Sequence, residues 1–135
     1  MACTETYATL RIFSDEMHPD DIEKHIGIKS TDSVPRDLNS KYKPRREFNF
    51  WSRTTENDLN STDNVEHLEF LLSLLKGKEG RLSLLQDSGC MTDIFCRWDS
   101  TGQGGPSLSV AMMNELVKLG LSVSWDMYFD DEDNA

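Results

Sequence analysis

Apolar and polar residues alternate in four short stretches of this chain, at residues 6–13, 48–53, 91–98 and 121–129. Successive side chains of a β-strand point to opposite faces, so this period of two predicts four strands that each bury one face. The last stretch is the most regular, with apolar residues at every second position: Leu121, Val123, Trp125, Met127 and Phe129.

Between these stretches, apolar residues recur every three or four positions, which is the period of a helix with one buried face. This spacing predicts four helices, at residues 19–26, 65–75, 81–87 and 110–119. Gly77 and Gly80 interrupt the period between the second and third helices, which favours two helices there rather than one. Ser109 and Gly120 fit the start and the end of the last helix.

These elements predict a single α+β domain over residues 1–135, with an ordered core at 6–129 and an acidic tail at 130–135. We expect a two-layer sandwich, ferredoxin-like or related, in which helices cover one face of a mainly antiparallel sheet of about four strands. Residues 11–29 and 94–123 share one plan of strand, acidic turn, helix and glycine. That similarity predicts a weak internal duplication of a βαβ unit.

The chain carries a formal net charge of −10, and the charge is unevenly distributed. Residues 1–60 hold nine basic and eleven acidic residues, whereas residues 61–135 hold five and thirteen. An acidic surface repels phosphates and anionic lipids, so we expect neither nucleic acid nor membrane as a partner. It favours a basic protein partner, or serves solubility alone. The basic stretch 41–46 is interpreted as neutralising acidic surface of the same domain, with an acidic partner as the alternative.

The chain has three cysteines, an odd number, and no CxxC pair. Cys90 and Cys96 are predicted to be buried free thiols, because six extended residues hold them too far apart for a disulfide. The first residues contain no secretory signal, and no apolar run is long enough to span a bilayer. We therefore predict a cytoplasmic, soluble protein, with no cofactor and no metal site among its three histidines.

The glycine-rich stretch DSTGQGGPSLS, residues 99–109, precedes a predicted helix and raises the question of an anion site. It contains neither the lysine of a phosphate-binding loop nor the spacing of a dinucleotide fingerprint. The stretch is therefore interpreted mainly as a turn and a helix cap. The alternative is a ligand site, whose candidate residues are Asp99, Gly104, Gly105, Ser107 and Ser109.

No set of residues has the local context of a catalytic centre, so no catalytic residue is assigned. Asp15 and Asp99 are both placed in turns, and antiparallel strands would hold them at opposite ends of the sheet. Candidate partner-facing residues instead lie at the end of the last strand: Asp126, Tyr128, Asp130 and Asp131. Trp125 and Phe129 are interpreted as core residues, because they alternate cleanly with polar ones.

Three stretches together carry a family resemblance: ATLRIFSDEMHPDDIEKHIGI, FWSRTT and DIFCRWDSTGQGGPSLSVAMMNELVKLGLSVSWDMYF. From about residue 7 to residue 129, the chain resembles the bacterial family known as domain of unknown function 4279. The resemblance implies a small α+β protein, and it implies no catalytic residues.

The sequence favours a non-enzymatic binding or interaction protein, of which an immunity-type inhibitor of a basic protein is one form. The alternative is a module that binds a small anion or metabolite, or an enzyme, using the loop at 99–109. A monomer and a homodimer both remain open.

Overall fold

The computed structural model describes residues 2–130, which form one five-stranded sheet and five helices. The strands are β1 (Ala2–Ser14), β2 (Asp32–Val34), β3 (Asn49–Thr54), β4 (Met91–Thr101) and β5 (Ser122–Asp130). The helices are α1 (Pro19–Ile26), α2 (Lys43–Glu47), α3 (Asn64–Leu75), α4 (Glu79–Asp87) and α5 (Val110–Leu119). The architecture is therefore α+β, as the alternating strand and helix periods predict.

The sheet is mixed, and β1 lies at its centre in the order β2-β3-β1-β4-β5. β1 is antiparallel to both β3 and β4, and β2 is antiparallel to β3. β5 is parallel to β4, because the chain crosses from one to the other through α5. β2 and β5 are consequently the two edge strands.

The core lies between one face of the sheet and the layer formed by α1, α3, α4 and α5. Alternate residues of the central strands supply the sheet side of this core, and the apolar faces of the four helices supply the other side. Its largest completely buried side chains include Leu10, Trp51, Leu68, Leu85 and Ile94. Burial of such side chains contributes about 1.5–3 kcal/mol each, which makes this layer the main source of stability.

The helix ends are formed as the sequence predicts. Gly27 and Gly120 end α1 and α5 in the left-handed conformation, with φ of 70° and 65°, which disfavours any residue with a β-carbon. The Ser109 hydroxyl accepts a hydrogen bond from the N–H of Met112 and so caps α5. α3 and α4 are separate helices, and Gly77 between them has φ of 82°.

The thiols of Cys90 and Cys96 are buried and free, as predicted. Burial raises the pKa of the Cys96 thiol to about 12, so this group stays protonated and unreactive at neutral pH. In the described part of the chain, no helix has the length and apolar character needed to cross a membrane.

The prediction of about four strands missed β2 and, with it, the short helix α2. β2 has only three residues, none of them buried, within a polar stretch that gives no periodic signal. It forms because its backbone pairs with β3, with Ser33 opposite Trp51. Such long-range pairing has no local signature in the sequence.

The ferredoxin-like arrangement is not confirmed. A ferredoxin-like sheet of four strands requires the strands at 48–53 and 91–98 to run in opposite directions, but β3 and β4 are both antiparallel to β1 and so run in the same direction. The extra strand is the reason. α1 leads into β2, which runs in the same direction as β1. β3 then runs in the opposite direction, whereas in a four-stranded arrangement the second strand would run in the direction of β1.

Candidate functional site

The second face of the sheet, which we call the open face, is turned away from α1, α3, α4 and α5. Its side chains come from the alternate residues of each strand and are mostly half-buried. Strand register aligns them in rows across β1, β4 and β5: Glu5–Asp99–Tyr128, Tyr7–Arg97–Asp126 and Thr9–Phe95–Ser124. The face is thus a flat array of aromatic and charged groups.

Arg11 occupies the middle of the open face and is fixed by both charge and stacking. Its Nε and Nη2 donate hydrogen bonds to the two carboxylate oxygens of Asp93, at 2.8 and 2.6 Å. Its guanidinium carbon lies 5.3 Å from the ring centre of Phe13 and 4.6 Å from that of Phe95. Bidentate pairing and cation–π contacts are both favourable, so Arg11 is held rigidly and its charge is neutralised.

A second cluster, which we call the acidic corner, consists of Arg97 and Asp99 of β4 with Asp126, Tyr128 and Asp130 of β5. Arg97 donates from Nε and Nη2 to Asp99, at 2.8 and 3.2 Å, and its guanidinium carbon lies 4.1 Å from the ring centre of Tyr128. The Tyr128 hydroxyl in turn donates to Asp126 Oδ2 at 3.0 Å. Four side chains from two adjacent strands are therefore linked.

These contacts shift two ionisation equilibria. The hydrogen bond to Asp99 raises the pKa of Arg97, so this guanidinium is positively charged at every accessible pH. The hydrogen bond that Tyr128 donates to Asp126 raises the pKa of the phenol, because loss of the proton would place a second negative charge beside the carboxylate.

The acidic corner has a surplus of negative charge. One arginine and three aspartates give it a formal charge of −2, and Glu5, opposite Asp99 on β1, adds another negative charge. The Arg97–Asp99 pair compensates itself, so the surplus belongs to Asp126, Asp130 and Glu5. Tyr128 beside them is 44% exposed.

Three of the four predicted partner-facing residues are therefore neighbours. Asp126, Tyr128 and Asp130 lie on the same face of β5, whereas Asp131 lies outside the described residues. Arg97, which links β4 to β5, was not among the residues predicted from the sequence. Its place in the predicted strand 91–98, on the face opposite to Cys96 and Trp98, was the available signal.

The interpretation of Phe129 as a core residue is wrong. Trp125 is partly buried against the core, but Phe129 is 51% exposed and Met127 is 40% exposed. Both side chains point to the helix-covered side of the sheet, beyond the part that the helices bury. Phe129 keeps one aromatic contact, with Trp98 at 5.8 Å between ring centres.

The glycine-rich stretch does not bring its candidate ligand residues together. β4 continues to Thr101, so Asp99 lies within a strand on the open face and not in a turn. Ser109 caps α5, and the Ser107 carbonyl accepts a hydrogen bond from Asn64 Nδ2 at 3.0 Å. Gly104 has φ of 127°, which indicates that glycine is needed there for the turn itself. Gly105, by contrast, has open space around it.

The two carboxylates that could have formed a catalytic pair are far apart. Asp99 lies opposite Glu5 at one end of β1, whereas Asp15 follows Ser14 at the other end. Nine residues of extended strand separate these positions by about 30 Å. Within residues 2–130, no three side chains of His, Cys, Asp or Glu lie close enough together to hold a metal ion.

Hollows outside the acidic corner include one between helices and one on the open face. A groove of about 540 Å³ between α3, α4 and α5 is lined by five apolar and five charged side chains and by two serines, one of which is Ser109. A hollow of about 280 Å³ lies on the open face between Phe13, Phe50 and the segment around Tyr42. Neither brings together groups arranged for acid–base or nucleophilic chemistry.

The fold and the open face define a small α+β protein with one sheet face that α1, α3, α4 and α5 leave uncovered. A family model described as Domain of unknown function (DUF4279) matches residues 4–130, and the chain belongs to that family. No curated protein and no solved structure matches the chain.

Proposed function

We propose that this chain is a binding module that recognises a basic segment of another protein through the acidic corner. The observation that carries the proposal is the pair Asp126 and Asp130 beside the exposed ring of Tyr128. These carboxylates lie on a sheet face that α1, α3, α4 and α5 leave open, and no basic residue on β5 compensates them.

The corner is suited to binding because part of it is already rigid. The Arg97–Asp99 pair and the stacking of Arg97 on Tyr128 fix three side chains before a partner arrives. Prior ordering reduces the entropy lost on association. Acidic groups around an exposed aromatic ring complement lysine and arginine side chains, and aromatic residues are enriched at protein interfaces.

A binding role is better supported than catalysis, because the carboxylates lie on an open surface and not in an enclosed pocket. A small-anion site in the loop at 99–109 has less support, since the Ser109 hydroxyl is already engaged and Asp99 faces elsewhere. An immunity-type inhibitor, which blocks a basic protein by covering it, is one form that the proposed module would take.

The test is site-specific photo-crosslinking in the native host. A photoreactive residue at Ser124, on the open face next to Asp126, should capture a basic protein, whereas the same residue at Ser73 on α3 should not. The captured protein is then purified and its affinity measured by calorimetry. Replacing Asp126→Asn and Asp130→Asn together should weaken binding about tenfold, as expected for the loss of two charge contacts of about 0.7 kcal/mol each.

The matched control is Glu66→Gln with Glu69→Gln, which changes the net charge equally on the exposed side of α3. This variant should bind within about twofold of the wild type, because its charges are remote from the corner. Equal losses of affinity in the two variants would contradict the proposal, as would equal capture from Ser124 and Ser73.

A further inference from the structure

We infer that the partner segment binds as an added strand along the outer edge of β5, with a basic side chain at every second position. This inference rests on the proposed function, because it takes the basic partner from there and adds how the partner is held. Strand addition relies on the backbone N–H and C=O groups of β5, whereas the acidic corner consists of side chains.

The outer edge of β5 has no hydrogen-bond partner in the described chain. Among the elements of residues 2–130, only β4 makes extensive contact with β5. Across residues 123–129, no backbone N–H or C=O bonds to a loop, a helix or a side chain of residues 2–130. A strand edge in this state can pair with an extended segment of another chain.

The side of β5 that faces outward can be assigned residue by residue. The carbonyl of Asp130 accepts a hydrogen bond from the N–H of Gly102, which continues β4, so the backbone of Asp130 faces β4. Backbone groups of successive residues in a strand point to opposite sides. The N–H and C=O groups that point outward therefore belong to Val123, Trp125, Met127 and Phe129.

β5 also lacks most of the devices by which edge strands avoid pairing. Such devices include short length, proline, lysine and a β-bulge. β5 has nine residues, contains neither proline nor lysine, and keeps an unbroken register with β4. Its two aspartates are the exception, and they repel acidic segments while attracting basic ones.

The two faces of β5 specify the side chains of the added strand. On the open face that strand would lie beside Asp126 and Asp130, which favours lysine or arginine there. On the opposite face it would lie beside Met127 and Phe129, both exposed and apolar. Because side chains of a strand alternate, the complementary segment alternates basic and apolar residues.

A second copy of this chain fits the edge less well. Self-pairing of β5 would bring aspartates of both copies together, and each copy carries a net charge of −10. Like charges on adjacent strands are destabilising. The complementary occupant is therefore a basic segment of a different protein.

The test uses nine-residue peptides and the full-length chain, followed by amide hydrogen exchange measured by NMR. The probe alternates lysine and valine, and the controls are its glutamate–valine analogue and a lysine–valine peptide without alternation. With the probe at saturation, the outward amides of Trp125, Met127 and Phe129 should exchange at least tenfold more slowly. No binding at about 1 mM, binding without this protection, or equal protection by the non-alternating peptide would overturn the inference.

A proline variant separates the backbone from the side chain. Met127→Pro removes one outward N–H, and proline is tolerated at edge positions whose N–H faces solvent. We expect at least tenfold weaker peptide binding for Met127→Pro than for Met127→Ala, both compared after thermal melts establish that they are folded. Equal affinities would contradict strand addition, and if Met127→Pro does not fold, the amide exchange result decides alone.

Failure of this inference is distinguishable from failure of the proposed function. If binding depends on Asp126 and Asp130 but leaves the outward amides of β5 unprotected, strand addition is refuted and recognition by the acidic corner is supported. If the Asp126→Asn, Asp130→Asn variant binds the peptide with full affinity and its outward amides are still protected, recognition by the acidic corner is refuted and strand addition is supported.

Discussion

The two edge strands of the sheet, β2 and β5, differ in length, in their neighbouring proline and in charge. β2 has three residues, is followed at once by Pro35, and borders the loop that carries the basic residues of 36–46. β5 has nine residues, no proline and an excess of acidic side chains. Edge strands normally carry protection against pairing with other chains. The contrast therefore teaches that β2 offers only a short edge for pairing, whereas β5 offers a long one.

The loop beside β2 is held by its own arginines. Arg36 Nε donates to the carbonyl of Arg46 at 2.6 Å, and its Nη1 donates to the carbonyl of Asp15 at 3.2 Å. Arg46 Nη1 donates to the carbonyl of Ser40 at 3.2 Å. In the described chain these basic groups form no ion pair with the acidic corner, which lies at the opposite edge. Within the basic stretch 41–46, Arg46 thus helps to hold its own loop, and Lys43 pairs with Glu47 at 3.7 Å.

The largest expected effect compares the core contribution of β3, the strand next to β2, with that of the edge strand β5. Trp51 of β3 is completely buried, so Trp51→Ala should lower the free energy of unfolding by about 3–5 kcal/mol. Trp125 of β5 is only partly buried, and Trp125→Ala should cost about 1 kcal/mol. Denaturant unfolding measures both. Similar losses would show that β5 is as much a part of the core as β3.

A smaller effect is expected from loosening the loop that follows β2. Arg36→Ala removes the hydrogen bonds to two carbonyl groups and should cost about 1 kcal/mol, because the guanidinium is exposed to solvent. Arg45→Ala is the matched control, since no hydrogen bond or ion pair of the Arg45 side chain occurs among the described residues. Amide exchange in β2 should become faster in the first variant alone, and unchanged exchange there would contradict the role given to Arg36.

The smallest expected effect is a change in the pKa of Tyr128 on the edge strand β5. Tyr128 has a raised pKa because it donates a hydrogen bond to Asp126. A raised folded-state pKa means that this contact stabilises the protein below the usual phenol pKa of 10 and is lost as the pH rises through the higher folded value. In Asp126→Asn the pKa of Tyr128 should fall, as followed by tyrosinate absorbance against a Tyr128→Phe reference. An unchanged titration would contradict the hydrogen bond.

Local patterns in the sequence predicted most elements, because their causes are local. The strict alternation from Leu121 to Phe129 gave β5 to within one residue, and Ser109 and Gly120 fixed both ends of α5. The periods of two and of about 3.6 arise from backbone geometry, which each segment expresses by itself.

Strand order and the site depended on contacts between distant residues. β2 forms through pairing with β3, and its three residues contain no pattern of their own. The link from Arg97 to Tyr128 requires β4 and β5 to be neighbours, and the exposure of Phe129 depends on where the helical layer stops. Those facts belong to the topology and are not encoded in any single stretch.

The most direct test of the open edge is amide hydrogen exchange along β5 in the free, full-length chain. If the outer edge is unpaired, the amides of Trp125, Met127 and Phe129 exchange at nearly unstructured rates, while those of Ser124, Asp126 and Tyr128 are protected by β4. This alternation is the predicted result. Uniform protection across β5 would mean that its outer edge is already covered, and it would contradict the central claim.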